Sequence, residues 1–244
     1  MGKFDTLCPG CFTEKGKKKI CPHCKFDEKE LRSPLALPIR FLLQNQFLVG
    51  RVLGKPGGFG ITYFGWDVKL ETTIAIKEYL PRDLVGRDSD RSTLIPHSDE
   101  DGKIFRYGLE QYLKEAQNLA KFNHANLVRV RHFFEENETA YLVMDYYEGC
   151  NLEEYLAQKG GKLPEEEAVK ITLQILDGLA VVHAENLLHR DIKPRNIYIT
   201  KEGNPILLDF GAARITTGAM TRSLTVILTP GFAPYEQYYT RGLQ

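Results

Sequence analysis

The chain has 244 residues, 43% of them hydrophobic, and its 32 basic and 32 acidic side chains cancel to zero net charge. That balance excludes a global electrostatic pull toward nucleic acid or an anionic membrane. No apolar run approaches the ~18–20 residues that a bilayer-crossing helix needs, and the length suits one large domain or two unequal ones.

The start, "MGKFDTLCPG", has no apolar core segment, so no secretory signal and a cytoplasmic location are expected. Its match to a lipidation pattern through Gly2 and Thr6 is short and read as chance. Two Cys-x-x-Cys knuckles follow, Cys8/Cys11 and Cys21/Cys24. Four thiolates at this spacing suit one tetrahedral Zn²⁺. The competing pair of disulfides needs an oxidising compartment. His23, inside the second knuckle, is read as a turn residue because four sulfurs already fill the shell. Residues 1–30 form this zinc ribbon. It is Lys-rich and apolar-poor, so metal binding is expected to supply its folding energy. The lysines at 17–19 are read as a solvated tip rather than a nucleic-acid contact.

Residues 31–44 read as a linker, broken by Pro34 and Pro38 and ordered where it meets the next domain. From 45 to 149, β-rich runs flank a Gly-dense turn, and "TTIAIKEYL" reads as a further strand. Residues 82–107 are polar and are expected to be an inserted loop. "GLEQYLKEAQNLAKF" carries Leu109, Leu113, Ala116 and Leu119 or Ala120 at helical spacing. Two strands around "EENE" come next. After residue 150 the pattern turns helical, with Pro164 expected in the first turn of the longer helix. Two strands then flank "KEGN". Strands early and helices late predict an α+β chain with two lobes. Cys150 is expected to be a partly buried free thiol.

Five features stand in one order: a Gly-rich hairpin, Ala-Ile-Lys on a strand, Glu115 on a helix, "HRDIKPRN", and "DFG" at 209–211, with "TPGFAPYEQ" beyond. Singly each is weak. Together they resemble a protein kinase, most closely the bacterial serine/threonine kinases, from about residue 45 to the end. The resemblance implies a bilobal fold: a β-built N-lobe and hinge over 45–149 and a mainly helical, incomplete C-lobe over 150–244.

It also implies ATP and Mg²⁺ as cofactors and a protein substrate with Ser or Thr. Gly54, Gly57, Gly58 and Gly60, with Phe59 at the tip, would approach phosphates, because no Cβ blocks their N–H groups. Lys77, paired with Glu115, would hold the α- and β-phosphates. Asp191 would take the hydroxyl proton, and Lys193 would neutralise the transferring group. Asn196 and Asp209 offer the hard oxygens that Mg²⁺ prefers. Thr62, Ala75, Met144, Asp145, Tyr146, Tyr147 and Tyr198 would surround adenine, and Asn151 would reach the ribose. Leu119, Val130, His189 and Phe210 match the side chains that join the lobes. Arg190 calls for a phosphorylated partner among Thr217, Thr221, Ser223 and Thr225, whereas Thr229 matches a structural position.

Some features depart from the family pattern. The Gly loop is one residue longer than usual, and Pro56 removes a donor. The closing motif is Pro234-Tyr235-Glu236. The family's later helices have no counterpart, so a fragment or truncated product of a longer kinase is expected. The ribbon is read as a docking or regulatory module. The alternatives are an inactive nucleotide-binding scaffold and a zinc-ribbon nucleic-acid binder.

Overall fold

The computed structural model describes residues 4–54, 58–209, 231–233 and 235. Two compact units are present, Met1–Leu113 with Arg131–Tyr146, and Lys114–Val130 with Tyr147–Gln244.

The first unit is built on a six-stranded sheet. Its strands are β1 (Leu42–Leu43), β2 (Phe47–Val52), β3 (Gly60–Asp67), β4 (Thr72–Tyr79), β7 (Val130–Glu136) and β8 (Thr139–Asp145), in the order β1-β2-β3-β4-β8-β7. Strands β2, β3, β4 and β8 pair antiparallel in sequence. Leu48, Ile61, Ile74, Ile76 and Tyr141 are fully buried or nearly so. The register of β2 against β3 shifts between Val49 and Val52. Such a bulge frees backbone groups of the bulged strand from the ladder.

Residues 82–107 are not a plain loop. Strands β5 (Val85–Arg87) and β6 (Leu94–Pro96) form a hairpin, and α1 already begins at Asp99 and runs to Leu119. Ser98 caps α1: its Oγ accepts the Asp101 N–H at 3.1 Å and donates to the Asp101 carboxylate at 2.6 Å. Asp99, Glu100 and Asp101 then sit in the first turn, where the helix dipole favours them. The hairpin is tied down through Arg87. Its guanidinium donates to both oxygens of Glu78 on β4 (3.0 and 2.7 Å) and to the Leu35 and Ser92 carbonyls. Tyr63 and Tyr141 donate to the same carboxylate at 2.7 and 2.9 Å.

The four-cysteine ribbon belongs to this unit. Each knuckle is a small hairpin closed by one bridge, Leu7 with Glu14 and Ile20 with Asp27. The two repeat each other: Phe12 and Lys25, each the residue after the second cysteine, take left-handed φ of 55° and 63°. The backbone N–H of each donates to the carbonyl of the first cysteine. The ribbon is not without a core. Phe12 is 6% exposed and packs with Leu48 and Phe64, and Phe4, Leu7 and Trp66 lie around them. Burying one such ring is worth roughly 2–3 kcal/mol, so the ribbon has apolar support apart from any metal. Arg40, at the end of the linker, donates to the Phe4 and Leu7 carbonyls and to Glu28, which also pairs with Lys15 at 2.9 Å. Within the linker, Leu37 and Leu43 are fully buried.

In the second unit, β9 (Gly149–Asn151), α2 (Leu152–Gln158), α3 (Glu165–Ala184), β10 (Ile197–Thr200) and β11 (Pro205–Leu207) follow in order. The sheet order is β11-β10-β9. Pro164 stands one position before the first helical residue of α3 rather than inside its first turn. Its ψ of 146° is extended, which a helical position does not allow. Glu165, Glu166 and Glu167 fill the first turn as expected. Asn126 ties the stretch after α1 to β11: its side-chain amide donates to the Pro205 carbonyl at 2.8 Å, and its own carbonyl accepts the Leu207 N–H at 2.8 Å.

Candidate functional site

The four ribbon sulfurs all lie within 4.8 Å of one another. Zn–S bonds of about 2.3 Å in a tetrahedron set S···S edges near ~3.8 Å. Across the knuckles, Cys8–Cys24 is 3.5 Å and Cys11–Cys21 is 3.8 Å. Disulfides need about 2.05 Å, and all five cysteines are free thiols. The donor set therefore fits Zn²⁺ and leaves the disulfide alternative without support. The Gly10 N–H donates to Cys8 Sγ at 3.2 Å, while burial pushes the Cys8 thiol up. Burial acts the same way on Cys21, but the Cys24 and His23 N–H groups and the neighbouring sulfurs prevail and hold it at about 6. His23 is exposed, outside the sulfur cluster.

In the first unit, strand register positions the nucleotide-pocket candidates. Lys77 pairs with Thr62 on β3 and Leu142 on β8, and Ala75 pairs with Phe64 and Met144. Strand alternation sets Ala75 and Lys77 on one face of β4 and buried Glu78 on the other. The Tyr112 hydroxyl donates to the Lys77 carbonyl at 3.1 Å, fixing the strand to α1. Gly54 begins the Gly-rich turn at φ 64°. Phe59 and Gly58 accept from the Leu80 and Arg82 N–H groups at 2.9 and 3.3 Å, zipping the far side of the turn onto the end of β4. Gly57 lies outside the described residues. Asp145, at the end of β8, accepts from Arg131, and the Tyr146 ring meets Phe64 edge-on at 4.6 Å.

The second unit carries the catalytic-loop candidates. Asn196, buried in a single 3-10 turn, donates from its amide to the Asp191 carbonyl at 2.8 Å and to Asp191 Oδ2 at 3.0 Å. Lys193 Nζ is 2.9 Å from the same oxygen. His189 is buried behind them. Its Nδ1 accepts the Asp191 N–H at 3.3 Å, so Nε2 carries the proton that it donates to the Leu208 carbonyl at 2.8 Å. The Leu208 N–H donates to the Asn196 carbonyl at 2.8 Å. Both main-chain groups of Leu208 are thus held by the loop, and the next residue is Asp209, exposed at φ 49°. A carboxylate in hydrogen-bond contact with a lysine and an amide, with a second carboxylate tied to the same loop, is an arrangement suited to proton abstraction and to holding a hard cation.

The protein kinase domain profile matches residues 47–239. The chain belongs to the protein kinase domain family. Among solved structures, the kinase domain is similar to PpkA-294 in its apo form, with TM-score 0.75 and 40% identity over 83% of this chain and 71% of that one. It is 30% identical to serine/threonine-protein kinase B of Synechocystis over 91% of this chain and 38% of that protein. It is 35% identical to mouse serine/threonine-protein kinase Nek1 over 64% of this chain. The chain spans 14% of Nek1, and thus only part of the length of these curated relatives.

The remaining expected residues divide between the units. Asp191, Lys193 and Asn196 come together in the second. Tyr198 pairs with Asn151 across β10 and β9 in the same unit. Asn151 also serves the fold, since its side-chain oxygen accepts the Glu154 N–H at 3.0 Å in a capping box that starts α2. Glu115 and Leu119 lie on the part of α1 that belongs to the second unit, and Val130, which opens β7, and Tyr147, which follows β8, fall in that unit as well. Cys150 is partly buried on β9. Phe210, Thr217, Thr221, Ser223, Thr225, Thr229, Pro234 and Glu236 lie outside the described residues. Sequence reasoning missed Leu208, whose role is carried by main-chain atoms and leaves no side-chain signature. It also missed Arg87, whose partner Glu78 is an acid on the face of β4 opposite Lys77, a signal open to notice.

Proposed function

We propose that this kinase domain transfers the γ-phosphate of ATP to Ser or Thr hydroxyls of a protein substrate. The reading is carried by the Asp191–Lys193–Asn196 cluster in the loop that grips Leu208. Asp191 takes the hydroxyl proton as the new O–P bond forms and the β–γ bridging bond breaks, releasing ADP. Lys193 offsets charge on the transferring group. Lys77 holds the α- and β-phosphates with Glu115 as its counter-charge. Gly54, Gly57, Gly58, Phe59 and Gly60 line the phosphates. Thr62, Ala75, Met144, Asp145, Tyr147 and Tyr198 line the adenine, and Asn151 faces the ribose. Asn196 and Asp209 would hold Mg²⁺, which supplies charge neutralisation at the phosphates. A Lys two residues after the base supports serine/threonine rather than tyrosine specificity, in line with the names of the relatives. The four ribbon sulfurs would hold one structural Zn²⁺, and the ribbon serves as a docking or regulatory module. Among the described residues no helix is long and apolar enough to cross a membrane, and we place the domain in the cytoplasm.

The test is phosphate transfer from labelled ATP with Mg²⁺ to a Ser/Thr substrate. Asp191→Asn is expected to lower the rate by ~10²–10⁴-fold. Equal rates for both proteins would remove the catalytic assignment. Nucleotide binding without transfer in either would leave the scaffold alternative.

A further inference from the structure

Among the described residues the ribbon meets the kinase sheet across β2 and β3, and part of that contact lies at the root of the Gly-rich turn. At the bulge in β2, the Arg51 N–H is not used by β3; it donates to the Pro9 carbonyl, between the first two cysteines, at 2.9 Å. The Arg51 guanidinium reaches the Gly10 carbonyl at 3.2 Å. Gly50 makes this approach feasible: a Cβ there would lie 2.4 Å from the Pro9 oxygen and 2.8 Å from the Phe64 oxygen. On the other face of the junction the Phe12 ring lies 5.2 Å from Phe64 and 6.0 Å from Trp66. Phe64 in turn meets Tyr146. One knuckle therefore touches the strand three residues before Gly54 and, through a single ring, the segment that follows β8.

We propose that the first zinc knuckle positions the Gly-rich turn and Tyr146 for nucleotide, with Pro9 and Phe12 as the positioning residues, so that zinc occupancy sets nucleotide affinity. This rests on the nucleotide-binding reading above and deepens it. The metal fixes Cys8 and Cys11, and the three-residue span between Cys8 and Phe12 transmits that fixing to β2 and β3. Without the metal the knuckle loses its closure. The Arg51 N–H and the Phe64 ring then lose their partners in the knuckle while the sheet interior stays packed.

Two measurements on the zinc-loaded 244-residue chain test this. The first is the Kd for Mg²⁺ with a non-hydrolysable ATP analogue, read with zinc content. Phe12→Ala is expected to keep one zinc and to weaken binding about tenfold, within the ~5–150-fold range of ordinary coupling between sites. Phe12→Leu, which keeps an apolar side chain without adding atoms toward Gly50, restores part of it, Gly50→Ala reproduces the loss, and Lys18→Ser at the ribbon tip changes nothing. Wild-type affinity in zinc-loaded Phe12→Ala would overturn the proposal.

The second is amide hydrogen exchange of the unmodified protein with and without a zinc chelator, which does not depend on any variant folding. Faster exchange at Arg51 and Tyr146, with Ile76 and Val143 still protected, is expected. Unchanged exchange would overturn the proposal, and so would loss of protection throughout. A wild-type chain that binds no nucleotide would sink the functional reading instead, and the exchange measurement would still judge the clamp.

Discussion

Two carboxylates in the first unit are each gripped by one arginine that also takes main-chain carbonyls, and they differ in how far water reaches them. Glu78 and Arg87 have side chains 0% and 3% exposed, whereas Glu28 and Arg40 are 24% and 15% exposed. At Glu78, two tyrosine hydroxyls complete the shell, and among the described residues no second cation pairs with it. At Glu28, Lys15 is a second cation and solvent is near. Removing a partner from a dry pair strands a buried charge, while a wet pair loses mainly its hydrogen bonds. The inner pair therefore specifies where the hairpin at 85–96 docks, and the outer one holds the foot of the ribbon.

The sharpest way to break this contrast is Arg87→Met. It is expected to lower unfolding free energy by ~3–5 kcal/mol, because Glu78 stays buried without its cation. Chemical denaturation checks it. The double variant Arg87→Met/Glu78→Gln should recover much of the loss, and a single-variant loss below ~1 kcal/mol would erase the distinction.

Arg40→Met should cost less, about 1–2 kcal/mol, since Lys15 and water can serve Glu28. Its effect should be local. Trp66, the chain's one tryptophan, lies against Phe12, so its emission reads the ribbon's seating.

Acid sharpens the comparison further. Burial acts to raise the Glu28 carboxyl, but Arg40 and Lys15 outweigh it and hold it below the usual range. A lowered folded value means that the stabilisation is complete above the unfolded value of about 4.3 and is lost as pH falls below it. Trp66 emission should therefore be flat from neutral pH to near ~5 and shift below ~4.3, with the Glu28 component missing in Glu28→Gln. Smallest of all is the exposed Arg195–Glu153 pair, 2.7 Å apart with side chains 69% and 54% exposed. Arg195→Ala should leave the thermal midpoint of the chain unchanged.

The meeting of Asp191, Lys193 and Asn196 was legible because the three stand within one turn of chain, so spacing alone predicts their contact. The four-cysteine cluster was legible from the spacing of its two knuckles. The hairpin at 85–96 and the first turns of α1 were not, because a charge-dense stretch has no apolar periodicity to read. The Ser98-x-x-Asp101 pattern was the available signal for that helix start. The seating of the ribbon on the sheet was beyond reach of the sequence. Gly50 inside the β2 pattern is a signal for a bulge or a close approach, but nothing local says that Pro9 is what approaches or that Phe12 finds Phe64.

The two knuckles are near copies in backbone but not in side chain. At the matched left-handed position one carries Phe12, sunk among rings, and the other carries exposed Lys25, which folds back to the Pro22 carbonyl at 3.1 Å. A duplicated motif with twofold-like geometry has two equivalent ways to land. A greasy residue on one copy and a cation on the other leave a single orientation, so exchanging the identities at 12 and 25 would invert which half of the pseudo-dimer faces inward.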